Sequence, residues 1–199
     1  MLFARRSILT LFSSALLLSA CQTTPPNNTL RFSPSSPVVQ FNTTNQKAIL
    51  NILTRDLRQH KAISSYVYNG KIFKLMAQPE VAELFDQVIK QDLNAKGFKI
   101  AQTPAQSNTN VILTITHFYA DVDQGNLRYK ISANVQINVQ VQGAKGQFSK
   151  NIGSTQSQEG AFTAKNENIQ NVLGKTFEEV VQRIYQDQEI ANAINRYAN

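Results

Sequence analysis

The clearest pattern in this chain has a period of two. From 127 to 141 the odd positions are apolar, namely Leu127, Tyr129, Ile131, Ala133, Val135, Ile137, Val139 and Val141. The even positions are polar: Arg128, Lys130, Ser132, Asn134, Gln136, Asn138 and Gln140. Successive side chains of a strand point to opposite faces, so this alternation predicts a strand with one dry face and one wet face. Val111–Val122 precedes it across Asp123-Gln124-Gly125-Asn126, and Gln147–Gln158 follows it across Gly143-Ala144-Lys145-Gly146. Three successive antiparallel strands are expected, the third more polar and at an edge.

Elsewhere the spacing is helical. Val81, Leu84, Phe85, Val88, Ile89 and Leu93 recur at helical intervals and predict a helix over 79–96. Pro79 suits its first turn and Gly97 its C-terminal stop. A second helix is expected over 167–186, capped by Asn166, with Ile169, Val172, Leu173, Thr176, Phe177, Val180, Val181 and Ile184 as its dry stripe. A short third helix covers 188–197. Ala48–Thr54 reads as a buried strand with both faces mostly apolar, and a short strand lies near Leu30–Ser33. Residues 61–75 stay open between strand and loop, with Asn69-Gly70 as a hairpin turn signal. Phe162 is expected to anchor its corner in the core, and Gly160 to permit the bend there. The fold class is α+β: a two-layer, largely antiparallel sheet, its three-strand meander packed on two main helices. Residues 30–199 form one domain.

The N-terminus is different in kind. Arg5 and Arg6 precede an apolar run, Ile8–Leu18, which is too short to span a bilayer of roughly 20 helical residues. Leu18-Ser19-Ala20-Cys21 closes it and matches the bacterial lipobox. That resemblance implies a signal peptide over 1–20, cleavage before Cys21, and acylation of Cys21 with three chains, palmitate among them. A membrane anchor held by several chains is stable, whereas one chain binds marginally. Residues 21–29 read as the lipidated N-terminus and a tether, with Pro25 and Pro26 and nothing apolar to pack. Gln22 stands where an Asp favours inner-membrane retention in Gram-negative lipoproteins, so the expected address is the periplasmic face of the outer membrane.

Charge and chemistry narrow the function. The net charge is +7, of which Arg5 and Arg6 contribute two, and the remaining charges are scattered. No nucleic-acid footprint is present. Cys21 is the single cysteine, so no internal disulfide can form. His60 and His117 are 57 residues apart, with no metal-ligand spacing around either. No phosphate-cradling loop or nucleophile motif appears. No metal, cofactor or enzymatic activity is expected.

Three segments resemble the YajG lipoproteins of Gram-negative bacteria: the lipobox with its proline-containing tether, Phe118–Tyr129 across the hairpin, and Glu159-Gly160-Ala161-Phe162 with Asn166-Glu167-Asn168-Ile169. The order and spacing fit nearly the whole chain, most weakly between Ser33 and Gln78. The resemblance implies an outer-membrane lipoprotein with a periplasmic domain, and supplies no catalytic site.

Candidate binding residues are Asp121, Arg128, Tyr129, Asn134, Gln136 and Asn138. Tyr119, Asp121, Arg128 and Tyr129 flank the hairpin tip, as a docking surface or as a plain turn in which Asp121 pairs with Arg128 or a backbone amide. Ser132, Asn134, Gln136, Asn138 and Gln140 offer amides and hydroxyls suited to glycans or a partner's strand, or form an ordinary wet face. Asp56 and Arg58 read as a ligand contact or a surface ion pair worth less than about 1 kcal/mol. His117 is expected in register with Ile115 and Tyr119 as a half-buried structural residue. The leading expectation is a non-enzymatic binding or accessory domain for an envelope protein or peptidoglycan. A cell-wall-active enzyme, or an activator of one, is the alternative and would draw on Asp121, Asp123 and Glu159. A structural role in envelope assembly is the third.

Overall fold

The computed structural model describes residues 27–198, Asn69 excepted. The expected signal peptide, Cys21 and most of the tether lie outside these residues. The fold is α+β, a mostly antiparallel mixed sheet of eight strands with three helices. In chain order the strands are β1 (Thr29–Arg31), β2 (Ile49–Asp56), β3 (Ser64–Tyr68), β4 (Lys71–Gln78), β5 (Lys99–Ile100), β6 (Thr109–Gln124), β7 (Arg128–Gly143) and β8 (Gly146–Ala161). The helices are α1 (Val81–Ala95), α2 (Asn166–Gln186) and α3 (Gln188–Tyr197).

β6, β7 and β8 each have 16 residues and pair antiparallel in sequence order. The alternation along β7 holds: Tyr129, Ile131, Ala133, Val135, Ile137, Val139 and Val141 are all buried. Leu127 lies outside the strand, in the turn, and is exposed. β8 pairs with β7 alone and forms a sheet edge.

Parallel pairs, which alternation along one strand cannot reveal, make the sheet mixed. β2 runs parallel to β6 and β5, β1 parallel to β4, and β3 parallel to β6. The open segment 61–75 is a hairpin: β3 and β4 pair antiparallel from Ser64 opposite Leu75 to Tyr68 opposite Lys71. Gly70 takes φ +73° in its turn, a conformation that favours glycine.

β6 is shared along one edge by two strands. β2 pairs with it from Thr109 to Ile115, and β3 joins at Ala120. Between them β6 carries a bulge: Ile115 faces Ile137 and His117 faces Gln136, so Thr116 is extra. An extra residue reverses which parity points inward. Before the bulge Val111, Leu113 and Ile115 are buried, and after it Phe118 and Ala120. His117 therefore turns to the solvent side with Tyr119, correcting its expected register with Ile115, and it is exposed.

The helices cover the dry face. α1 packs on β2 and β5, α2 on β6, β7 and β8, and α3 on β7 and β8. Phe118 sits at the centre of this layer, its ring centroid 5.7 Å from Phe32, 6.2 Å from Phe85 and 6.0 Å from Phe177. The contacts are edge-on, the arrangement that aromatic quadrupoles favour. α1 begins at Val81, with Pro79 just outside it. α2 is capped at Lys165, whose backbone N–H donates to Asn168 Oδ1 at 2.9 Å. Asn166, the expected cap, lies one residue inside. Its side chain donates to the Asn27 carbonyl and accepts from Tyr66 Oη.

Phe162 does not enter the core. It is 73 % exposed and sits at φ +65°. The strand runs on to Ala161, so the chain bends beyond the core's edge. Gly160 is a strand residue whose lack of a side chain admits the Tyr129 ring, since a Cβ there would lie 2.7 Å from Tyr129 Cε1. Gly160→Val should therefore destabilise the domain by about 1–3 kcal/mol through overpacking. Gly174→Ala, in open space on α2, should stabilise it by about 0.5–1 kcal/mol through helix propensity. Urea unfolding midpoints of the two variants should move in opposite directions.

Candidate functional site

The wet face of β6–β7–β8 arranges its side chains in cross-strand rows. Asp121, Ser132 and Ser157 form one row, Tyr119, Asn134 and Thr155 the next, then His117, Gln136 and Gly153, then Thr114, Asn138 and Asn151. Asn138 donates to Ser149 Oγ at 2.9 Å and to Asn151 Oδ1 at 2.7 Å. Tyr119 Oη meets Ser65 Oγ at 2.8 Å. Asn134 Oδ1 is buried without a hydrogen-bond partner among the described residues, an acceptor left open within the row.

The structure divides the expected site. Asp121, Asn134, Gln136 and Asn138 share the wet face. Arg128 lies at the hairpin tip opposite Ala161, and Asp121 lies opposite Ser132, so the expected Asp121–Arg128 pair does not form. Tyr129 is 6 % exposed and faces the core, which removes it from the accessible surface. The tip itself holds a hollow of about 290 Å³ lined by Asp123, Arg128, Lys130 and Glu159. Lys130 stands in register between Asp123 and Glu159, its Nζ 3.9 Å from Glu159.

At the β8 edge a hollow of about 640 Å³ opens beside Gly153, lined by Thr116, Gln136, Asn151, Thr155, Glu179 and Arg183. Arg183 Nη1 donates to the Gly153 carbonyl at 2.6 Å, and Glu179 accepts from Ser154 Oγ at 2.6 Å and Gln156 Nε2 at 2.7 Å. Those two hydrogen bonds, with the neighbouring Arg183, hold the Glu179 carboxyl below the usual range. Sequence reasoning missed this latch. Its signals were a glycine inside a polar strand and a Glu/Arg pair four apart on a helix.

A third hollow, of about 360 Å³, lies over the β6 bulge and brings together His60, His117, Arg58 and Tyr119. His60 and His117, far apart in sequence, thus line one hollow. Among the described residues no third His, Cys, Asp or Glu joins them in a metal-holding group.

Asp56 and Arg58 are not a surface pair. Their side chains are 7 % and 6 % exposed. Arg58 Nε and Nη2 donate to the two carboxylate oxygens at 2.9 and 2.8 Å, and Nη1 donates to the Phe118 carbonyl at 3.3 Å. Asp56 continues the inward series Leu50, Ile52, Thr54 and reaches the gap where β2 leaves β6. Burial pushes its carboxyl up, but the hydrogen bonds and charge of Arg58, with help from Lys61, hold it below the ordinary value. Arg58→Ala should cost about 3–5 kcal/mol, because it leaves the buried carboxylate with only the solvent-exposed Lys61, 3.7 Å away, as a charged partner. Thermal or urea unfolding would measure the loss.

A fourth hollow, of about 440 Å³, lies beneath the segment 35–40 and is lined in part by Asp92, Glu178 and Tyr185. Asp92 is 3 % exposed and its Oδ1 has no partner among the described residues. Burial raises its carboxyl to about 7, against a smaller opposing pull from Lys96. A raised carboxyl stabilises the fold below the unfolded pKa, and that contribution is lost as pH rises toward 7. The stability of wild type relative to Asp92→Asn should therefore fall from about pH 4 to pH 7 and then level. Paired urea titrations across that range test this.

The chain belongs to a family of uncharacterized lipoproteins, whose pattern it matches over residues 34–195. It is 25 % identical over 183 residues to the uncharacterized lipoprotein YajG of Escherichia coli strain K12, covering 92 % of this chain and 93 % of that protein. YajG of Escherichia coli O6:H1 matches to the same extent. The chain is thus a YajG-family lipoprotein, as the hairpin and lipobox segments implied. Its fold is shared by the crystal structure of protein XCC0632 from Xanthomonas campestris, with a TM-score of 0.55 at 9 % identity, over 83 % of this chain and 97 % of that one. No helix among the described residues is long and apolar enough to cross a membrane.

Proposed function

We propose that this protein is an outer-membrane-anchored lipoprotein whose periplasmic domain is a non-enzymatic binding or accessory module for an envelope protein or peptidoglycan. Cys21 carries the lipid anchor, and cleavage after residue 20 exposes it. The leader, the lipobox and Gln22 support this address. The meander, packed on α2 and α3, acts as a rigid platform. Tethering then raises the local concentration of a partner without any new contact.

The observation that carries this reading is the wet sheet face. Asp121, Asn134, Gln136 and Asn138 stand on rigid paired strands with donors and acceptors spaced at strand intervals, and they run into the hollow at Gly153. Amides in such an array suit glycan hydroxyls or a peptide's backbone groups. Hydrolysis by paired carboxylates is disfavoured at the tip, where Lys130 stands between Asp123 and Glu159 and draws on Glu159. The surface is polar, which sets it apart from the apolar interface that a purely structural assembly role would use.

Photo-crosslinking in intact cells from a reactive residue at Gln136 tests this. A single protein adduct, or peptidoglycan-linked material, lost when Asn138 and Asn151 are both changed to Ala, is the expected result. Absence of any specific adduct there would remove this face as the contact surface.

A further inference from the structure

Large apolar side chains are exposed together at one end of the sheet. Val67 and Ile72 face each other across the β3–β4 hairpin, each 72 % exposed. Leu127 in the β6–β7 turn is 77 % exposed, and Phe162 just beyond β8 is 73 % exposed. The topology brings them to the same end. β3 and β8 both run in the direction of β6, so their C-terminal ends lie beside the β6–β7 turn. The Phe162 amide donates to the Leu127 carbonyl at 2.9 Å. Gln124 braces the corner, donating to the Phe162 carbonyl at 2.8 Å and accepting from the Ala164 amide at 3.0 Å.

The chain also enters the fold at this end. β1 runs parallel to β4, which starts from the β3–β4 turn, so Asn28 and Asn27 lead back from Thr29 toward that turn. The Asn27 carbonyl is held by Asn166 at 2.7 Å, and Asn166 is held by Tyr66, two residues from the end of β3. Asn27 lies six positions beyond Cys21, a reach of at most about 20 Å. The opposite end, at the β7–β8 turn, lies a full 16-residue strand away, roughly 50 Å. Lys71, Arg128, Lys130 and Lys165 stand at the entry end against Asp123, Glu159 and Glu167, leaving it slightly cationic.

We propose that this end of the domain rests on the phospholipid surface, with Phe162 and Leu127 at the acyl–headgroup boundary and the basic side chains among anionic headgroups. The inference rests on the Cys21 anchor reading. An exposed apolar cluster at an end with a small cationic excess is the chemistry of an interfacial contact, and a short tether places the bilayer where that cluster is. The domain then stands end-on, its polar β6–β7–β8 face directed sideways.

The chain has no tryptophan, so one substitution supplies a unique fluorescence probe. Acylated Phe162→Trp, Leu127→Trp and Lys145→Trp proteins would be reconstituted in phosphatidylethanolamine–phosphatidylglycerol vesicles containing brominated acyl chains. Flotation is scored first, then quenching. Expected is flotation of all three, with quenching at 162 and 127 at least about threefold stronger than at 145, since interfacial side chains sit only 5–10 Å into the bilayer boundary. Flotation with equal, weak quenching at all three sites would overturn the inference and leave the anchor standing. Failure of the acylated proteins to float would overturn the anchor reading and this inference with it.

Discussion

Between Ile115 and His117, β6 carries one residue more than the strand opposite it. The core-facing side chains change from odd to even numbers at that point, and the partner on the other edge changes from β2 to β3. A break of this kind frees backbone groups in the middle of a sheet. Arg58 answers it: while held bidentate by Asp56, it donates to the Phe118 carbonyl just past the bulge, and its guanidinium lies 6.0 Å from the Phe118 ring centroid. Phe118 in turn is the hub of the aromatic cluster that joins β1's exit, α1 and α2. The buried ion pair, the bulge and the central ring are one arrangement. Its worth lies in fixing where one parallel strand stops and another begins, since buried pairs add little stability of their own.

Much of the architecture was legible because burial imposes a period. β7 reads directly from its alternation, and α1, α2 and α3 from their apolar stripes. The parallel pairings were not legible, because period two is the same whichever way a neighbour runs. The bulge escaped for a related reason. Ile115 and Phe118 are both apolar, and nothing in Thr116-His117 marks the extra residue, so alternation alone puts His117 on the wrong side. Phe162 is not legible because a large aromatic after a strand resembles a core anchor. Only the path of the chain shows that Ala161 already stands at the core's limit.

The candidate surface was legible in part. The wet residues of β7 follow from alternation, but their neighbours depend on register with β6 and β8. Tyr129 belongs to the same strand and the opposite face. The hollow at Gly153 arises because α2, distant in sequence, lays Glu179 and Arg183 across the strand edge. Asp56 was legible in hindsight from Leu50, Ile52 and Thr54, whose parity it shares. A charged residue at the end of an apolar series was read as solvated, while the structure seals it in.

The turn between β7 and β8 is filled by Tyr197, at the end of α3. A side chain at Gly143 would collide with the Tyr197 backbone, and a Cβ at Gly146 would meet the Tyr197 ring at 2.8 Å. Ile190, Ala193 and Ile194 of α3 complete the core at that end. Domains fold as units once their parts have been synthesised. Here the segment that closes the core follows both strands of the turn and α2 along the chain, so the turn is packed only once α3 docks on β7 and β8.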